Sequence, residues 1–177
     1  MPVAALAAGA APVFPVVAVA GRGVATAVGS ANGLTGAIVI NTANPSTSTI
    51  EPITIDISKL ASDSSQRDNR IRREWLESDK YPTATFVTKR LEGLPTTPYT
   101  DGQELTFTIV GDLTIRTTTR EVTFEAKGRI VGDTFTGTAT TNFNMTDFGF
   151  DPPDIAGVLK SENGVKLDLT IAAKRTP

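Results

Sequence analysis

From residue 104 onward the sequence alternates with a period of two, and that constrains the fold more than any other feature. Residues 104–115 place Leu105, Phe107, Ile109, Leu113 and Ile115 on one face. Residues 120–131 align Val122, Phe124 and Ala126, and residues 134–142 set Phe135, Gly137, Ala139 and Thr141 against Thr134, Thr136, Thr138 and Thr140. Residues 164–173 set Val165, Leu167, Leu169 and Ile171 against Lys166, Asp168 and Thr170. Successive side chains of a strand point to opposite faces, so each segment is a half-buried β-strand. Gly132-Asp133 is a tight hairpin signal, and residues 116–119 make another turn. Gly111 lies on the apolar face of its strand, where a large side chain would crowd a curved sheet.

The same signals extend toward the N-terminus. Residues 83–91, 49–57 and 34–41 read as strands, with Ile53, Ile55 and Ile57 sharing a face. Pro52 implies an edge or a bulge, because proline donates no ladder hydrogen bond. Residues 41–48, around Asn44-Pro45-Ser46, and 93–102, with two prolines and Asp101-Gly102, are connections, and residues 143–163 are irregular. Residues 22–32 are Gly-, Ala- and Ser-rich and read as a loop with at most a short extended piece. Their glycines do not lead from a strand into a helix, so they form no phosphate loop. Residues 1–20 are apolar but lack a basic start and are interrupted by Pro2, Pro12 and Pro15, unlike a signal peptide or a spanning helix. They read as an Ala/Pro-rich leader or tether remnant over residues 1–12, followed by a strand at 13–20. The domain then covers residues 13–177. The sum is about eight strands at hairpin-like spacing, which points to an all-β sandwich or antiparallel barrel.

One helix interrupts this pattern. In residues 67–86, RDNRIRREWLESDKYPTATF, Ile71 and Trp75 are four apart and fall on one helical face. Ser65 and Asp68 fit a helix start. Pro82 disfavours helix at Tyr81 and sends the chain out extended. The expectation is a short amphipathic helix that plugs or flanks the sheet.

Composition removes most catalytic chemistries. The chain has no cysteine and no histidine. Disulfides, thiolate catalysis, Ser-His-Asp triads, His-ligated haem and nearly all zinc sites are therefore excluded. A net charge of −2 gives no electrostatic case for nucleic acid. Asp147, Asp151 and Asp154 lie among Pro and Gly without the spacing of a calcium loop, and read as turn carboxylates. No local feature marks a carboxylate pair for glycoside hydrolysis. Arg67, Arg70, Arg72 and Arg73 form either a solvated helix face with local ion pairs or an anion-holding patch, with Arg70 and Arg73 as head-group candidates. The aromatics Phe86, Phe107, Phe124, Phe135, Phe143, Phe148 and Phe150 fit a packed core or the lining of a dry tunnel; the residues alone leave both open.

Four segments resemble the YceI-like family of bacterial lipid-binding proteins. They are the stretch carrying Arg67, Asp68, Ile71, Trp75, Leu76, Tyr81, Pro82 and Phe86; Gly111-Asp-Leu-Thr-Ile115 with Thr119-Arg-Glu-Val122; Thr146-Asp147-Phe148-Gly149; and the closing Gly164-Val-Lys-Leu-Asp-Leu. The resemblance spans about residues 34–174. It implies an eight-stranded antiparallel lipocalin-like barrel with a helix near one opening. It also implies a non-enzymatic carrier of a long isoprenoid, quinone or fatty-acid-like amphiphile, held without a cofactor or metal, exported to the periplasm or cell surface, not stably inserted in a membrane, and monomeric or homodimeric. The tunnel would be lined by Trp75, Phe86, Phe107, Ile109, Phe124, Phe135, Phe143, Phe148 and Phe150. The family's aromatic-led opening strand with a His-Ser pair is missing from residues 1–33, and Asn144-Met145 stand where a basic residue is common. A second reading is a protein-interaction module on a filled barrel, presenting residues 143–163 or the arginine helix.

Overall fold

The structure is a computed structural model that describes residues 4–7, 16–20, 27–31, 34–59, 61–62, 65–151, 154–155, 159–160 and 163–175. Its strands run in chain order as β1 (Ala4–Ala7), β2 (Val16–Ala20), β3 (Ala27–Ala31), β4 (Leu34–Thr35), β5 (Ala37–Ile40), β6 (Thr49–Ile50), β7 (Ile53–Asp56) and β8 (Ala61–Ser62). The helix α1 (Ser65–Arg70) follows, continued by a π turn over Ile71–Trp75. Then come β9 (Thr83–Glu92), β10 (Leu105–Ile115), β11 (Thr118–Val131), β12 (Thr134–Asn144), the small hairpin β13 (Asp154–Ile155) and β14 (Leu159–Lys160), and β15 (Gly164–Arg175).

Apart from β13 and β14, these strands form one curled, half-barrel antiparallel sheet in the order β4-β7-β9-β10-β11-β12-β15-β1-β5-β6, with β2, β3 and β8 extending from β15. Every expected strand is present. Within the long meander β9–β12, the hairpins β10–β11 and β11–β12 have registers without a gap, from Leu105↔Gly128 to Ile115↔Thr118 and from Val131↔Thr134 to Glu125↔Thr140. The expected alternation becomes burial. Ile109, Leu113, Ile115, Val122, Phe124, Ala126, Phe135, Ala139, Leu167 and Leu169 are all buried on the concave side.

Three expectations change. Residues 49–57 split at Glu51-Pro52, opposite Gly36, because the register slips by one residue between Leu34↔Ile55 and Ile38↔Ile50. Ile57 leaves the strand for a 3-10 turn. Residues 22–32 contain β3, which pairs with β2 through Ala18↔Gly29 and its neighbours. A run of Ala, Gly and Ser carries no alternation of hydrophobicity, so no period marked it. β1 pairs with β5 and with the end of β15 through Leu6↔Arg175.

The helix is shorter as an α-helix than its amphipathic pattern implies. After Arg70 the bonding shifts by one residue: the Leu76 amide donates to the Ile71 carbonyl at 2.8 Å. Glu77 then takes a left-handed φ of 45°, as does Arg116 at 56° in the β10–β11 turn. Left-handed backbone is costly for such residues and persists only where neighbours hold it. Here the Arg116 guanidinium pairs with the Glu77 carboxylate and donates to the Trp75 carbonyl at 3.2 Å. The helix end is thereby tied to the β10–β11 turn. Among the described residues no helix is long and apolar enough to cross a membrane.

On the convex face, Asp168 of β15 accepts the Thr140 hydroxyl across the ladder at 2.7 Å and pairs with Lys166 at 3.0 Å. Partial burial pushes its carboxyl up, but the Thr140 hydrogen bond and the Lys166 charge outweigh this and hold it below the ordinary 3.8. A carboxyl whose folded pKa lies below its unfolded value stabilises the fold above the unfolded pKa, and that stabilisation is lost as the pH falls through the folded value. Asp168→Asn is therefore expected to lower the melting temperature at neutral pH. The gap to the parent should close as the pH drops below 3.8, as followed by circular dichroism melts across an acid series.

Candidate functional site: an apolar cavity in the concave face

The cavity is made by small residues. Across the β11–β12 hairpin, Ala126 pairs with Ala139 and Gly128 with Gly137. All four fall at the inward parity, so this part of the wall has almost no side chain. The Phe135 ring lies flat on the glycine pair: a methyl group at Gly128 would come 2.6 Å from it. Ring-on-glycine packing of this kind lets a curved sheet keep an aromatic without filling its interior. Opposite stand Ile38, Ile40, Ile50, Ile53 and Ile55 from β5–β7.

A bulge adjusts the third wall. Between β9 and β10 the register jumps from Val110↔Arg90 to Gly111↔Thr88. Lys89 is the extra residue, and it points outward to Asp112 at 2.8 Å and Glu121 at 3.1 Å. These two carboxylates raise the Lys89 pKa, Asp112 most. One extra residue reverses the parity of a strand. Ala84 and Phe86 face inward before it, whereas Leu91 lines the cavity after it.

The resulting space comprises about 1050 Å³ of atom-free volume including its open mouth, and about 90 Å³ when measured to the centres of a water-sized sphere. Its lining is almost wholly apolar. The connections at 41–48 and 93–104 border it at one end, through Pro45, Ser48, Leu94 and Tyr99. The Tyr99 hydroxyl is already engaged, accepting from the Ile130 amide at 2.8 Å and donating to the Gln103 carbonyl at 2.6 Å. Ser48 Oγ accepts the Asn41 amide at 3.0 Å. Lys127, Arg129 and Thr138 border the space, but they are exposed and at the outward parity of their strands, so they meet it through the main chain.

The opposite end is filled. Ile115, Val122, Phe148 and Leu167 pack there, with Ile57, Leu76, Phe143 and Phe150 against them. Phe148 is 1% exposed and meets Phe143 edge-on at 5.0 Å. It is carried by a 3-10 turn, Met145–Phe148, held by a reciprocal cap between Asn144 and Asp147. Asp147 thus serves a turn, as its setting among Gly and Pro implies.

The expected tunnel residues therefore divide. Phe86, Phe107, Ile109, Phe124 and Phe135 come together around the cavity. Trp75, Phe143, Phe148 and Phe150 do not border it: Phe143, Phe148 and Phe150 pack at the filled end, and Trp75 ends the π turn. Arg70 and Arg73 stand apart from it as well. Arg70 pairs with Glu74 at 3.3 Å and lies 6.0 Å over the Trp75 ring, and Arg73 is exposed; neither borders the cavity. The isoleucines of β5–β7, Tyr99 and the four small residues were not among those expected by number to line the tunnel. A signal for the wall was present: 128 with 137, and 126 with 139, are equidistant from the Gly132-Asp133 turn, so small residues had to face each other.

The YceI-like domain family matches residues 13–173, and the chain belongs to that family. No curated protein matches the sequence. Among solved structures it is similar to Burkholderia cenocepacia BcnA, with a TM-score of 0.74 and 17% identity over 90% of this chain and 96% of that one. It is also similar to a polyisoprenoid binding domain from Saccharophagus degradans implicated in plant cell wall breakdown, with a TM-score of 0.72 and 13% identity over 99% and 100% of the two chains. A Campylobacter jejuni YCEI protein matches with a TM-score of 0.68 and 18% identity over 84% and 85%. At these identities the likeness is one of fold.

Gly128→Ala is expected to lift Phe135 off its seat and into the cavity, at a cost of about 1–3 kcal/mol from overpacking. Phe148→Ala is expected to cost about 3–5 kcal/mol by opening a void in the filled end. Chemical denaturation measures both, and aromatic proton shifts should move for Phe135 in the first variant only.

Proposed function

We propose that this protein is a non-enzymatic lipid carrier that buries the apolar tail of a polyisoprenoid, quinone or fatty-acid-like amphiphile in the cavity of its sheet. The observation that carries this reading is the near absence of polar surface in that cavity. Its few bordering hydroxyls are already hydrogen-bonded, which leaves little with which to bind a polar substrate or to perform chemistry on it. Burial contributes roughly 0.8 kcal/mol per methylene, so a tail needs no polar partners to be held. Membership of the YceI-like family supports the reading, as does the fold shared with a polyisoprenoid binding domain.

The proposal includes a closed barrel. β4 and β5 are separated by Gly36 alone, and β6 and β7 by Glu51-Pro52. The two ends of the sheet path are thus successive parts of one bulged hairpin. Counting each arm of that hairpin as one strand, the ring is 34–40, 49–56, β9, β10, β11, β12, β15 and β1, which is eight. Closure removes exposed edges and gives an interior just wide enough for one elongated ligand. Phe86, Phe107, Ile109, Phe124 and Phe135 would contact the tail. The head group would stay at the mouth, near loops 41–48 and 93–104, not at Arg70 or Arg73. Export to the periplasm or cell surface, as a monomer or homodimer, belongs to the same reading.

Native mass spectrometry of the purified protein, with organic extraction, tests it. A discrete added mass released as a prenyl, quinone or acyl species is expected. Ala139→Phe, which places a ring in the bore opposite Ala126, should lose that mass while keeping a cooperative melt. A bare polypeptide that stays bare after incubation with such lipids would favour an interaction module on a filled barrel.

A further inference from the structure

We infer that the Phe86–Phe124 pair is the floor of the cavity and sets the length of the tail it accepts. This rests on the lipid-carrier reading and adds a length class to it. Phe86 comes from β9 and Phe124 from β11, the two neighbours of β10. Between them β10 presents Gly111, and a methyl group there would come 2.5 Å from the Phe86 ring. The missing side chain lets Phe86 lean over β10 until it meets Phe124, with ring centroids 5.2 Å apart at 80°. The rings are 5% and 3% exposed. Edge-to-face pairs at this spacing are favourable beyond the area they bury.

The open space ends around the pair. Phe107, Ile109, Ala126 and Gly128 border it on one side, and Leu113, Ile53 and Ile55, on the strands beside Phe86, border it at the level of the pair. On the other side Ile115, Val122, Phe148 and Leu167 are packed and border none of it. The bore is therefore blind and ends partway along the strands, although β11 runs on from Val122 to Thr118. One water needs roughly 10–15 Å³ on the centre-accessible measure. A bore of about 90 Å³ on that measure then takes a single file of about six to nine water-sized groups. It suits one tail of about one to two isoprene units, geranyl-like, entering end-first. A long polyprenyl leaves its remainder outside.

The full-length protein, stripped of lipid, is titrated with geraniol, farnesol, geranylgeraniol and solanesol. Binding is read by displacement of a fluorescent apolar probe and by native mass spectrometry. The parent should bind geraniol and gain less than twofold with each longer alcohol. Phe124→Leu, and Phe86→Leu as an independent second variant, should bind farnesol about fivefold tighter than geraniol while melting cooperatively. Affinity that keeps rising through solanesol in the parent overturns the floor, and so does an unchanged length optimum in a folded variant. If neither variant folds, the parent series decides alone. A parent that binds none of the four sinks the carrier reading itself, and the floor with it; binding without the length break sinks only the floor.

Discussion

Everything on the concave face depends on a parity that the hairpin registers hold. Inward residues are odd-numbered on β10, even-numbered on β11, and odd-numbered on β12 and β15. A slip of one residue anywhere in this meander would turn Phe124 or Leu169 to solvent and bring Glu125 or Asp168 inside. Burying an unpaired carboxylate costs far more than any single hydrogen bond returns. The register is thus held by its interior, and the two short turns at 116–117 and 132–133 agree with it. In this meander the bulge at Lys89 is where parity is broken, and its extra residue is held on the outside by two carboxylates.

Within that frame the ends of the sheet have opposite characters. At the helix end the interior carries Phe148, Ile115, Val122 and Leu167, and it is locked from outside by the Arg116–Glu77 pair across two left-handed residues. At the other end the wall is Ala126, Ala139, Gly128 and Gly137. Interiors pack to nearly constant density wherever side chains allow. Where two facing strands supply no side chain, space remains and can be filled only by a neighbour's ring or by a ligand. Phe135 takes part of it. The remainder is narrow and lined almost wholly by apolar atoms.

The strands were readable from the sequence because period two is a local signal and each buried strand carries it. The hairpins were readable because Gly132-Asp133 and residues 116–119 are turn chemistry. β3 was not readable, since Ala, Gly and Ser alternate in nothing that burial selects. Nor was the π turn, whose stability comes from Arg116 more than forty residues away in the chain. The candidate site was half legible. Five of the nine residues expected to line a tunnel do border the cavity. Phe143, Phe148 and Phe150 carry the same apolar signature but fall at the filled end, and Trp75 sits on the helix outside it.

The sequence by itself determined the fold class, the facing of the strands that alternate and the absence of histidine and cysteine chemistry. These follow from alternation and composition, which are properties of neighbouring residues. Only the tertiary structure decided which apolar residues line empty space and which fill it. That distinction depends on what stands opposite in the curled sheet: a phenylalanine over Gly111 or Gly128 leaves a bore, while a phenylalanine facing Val122 and Leu167 makes a core. Position along the axis, set by register and by the bulge, converts the same residue type into lining, floor or plug.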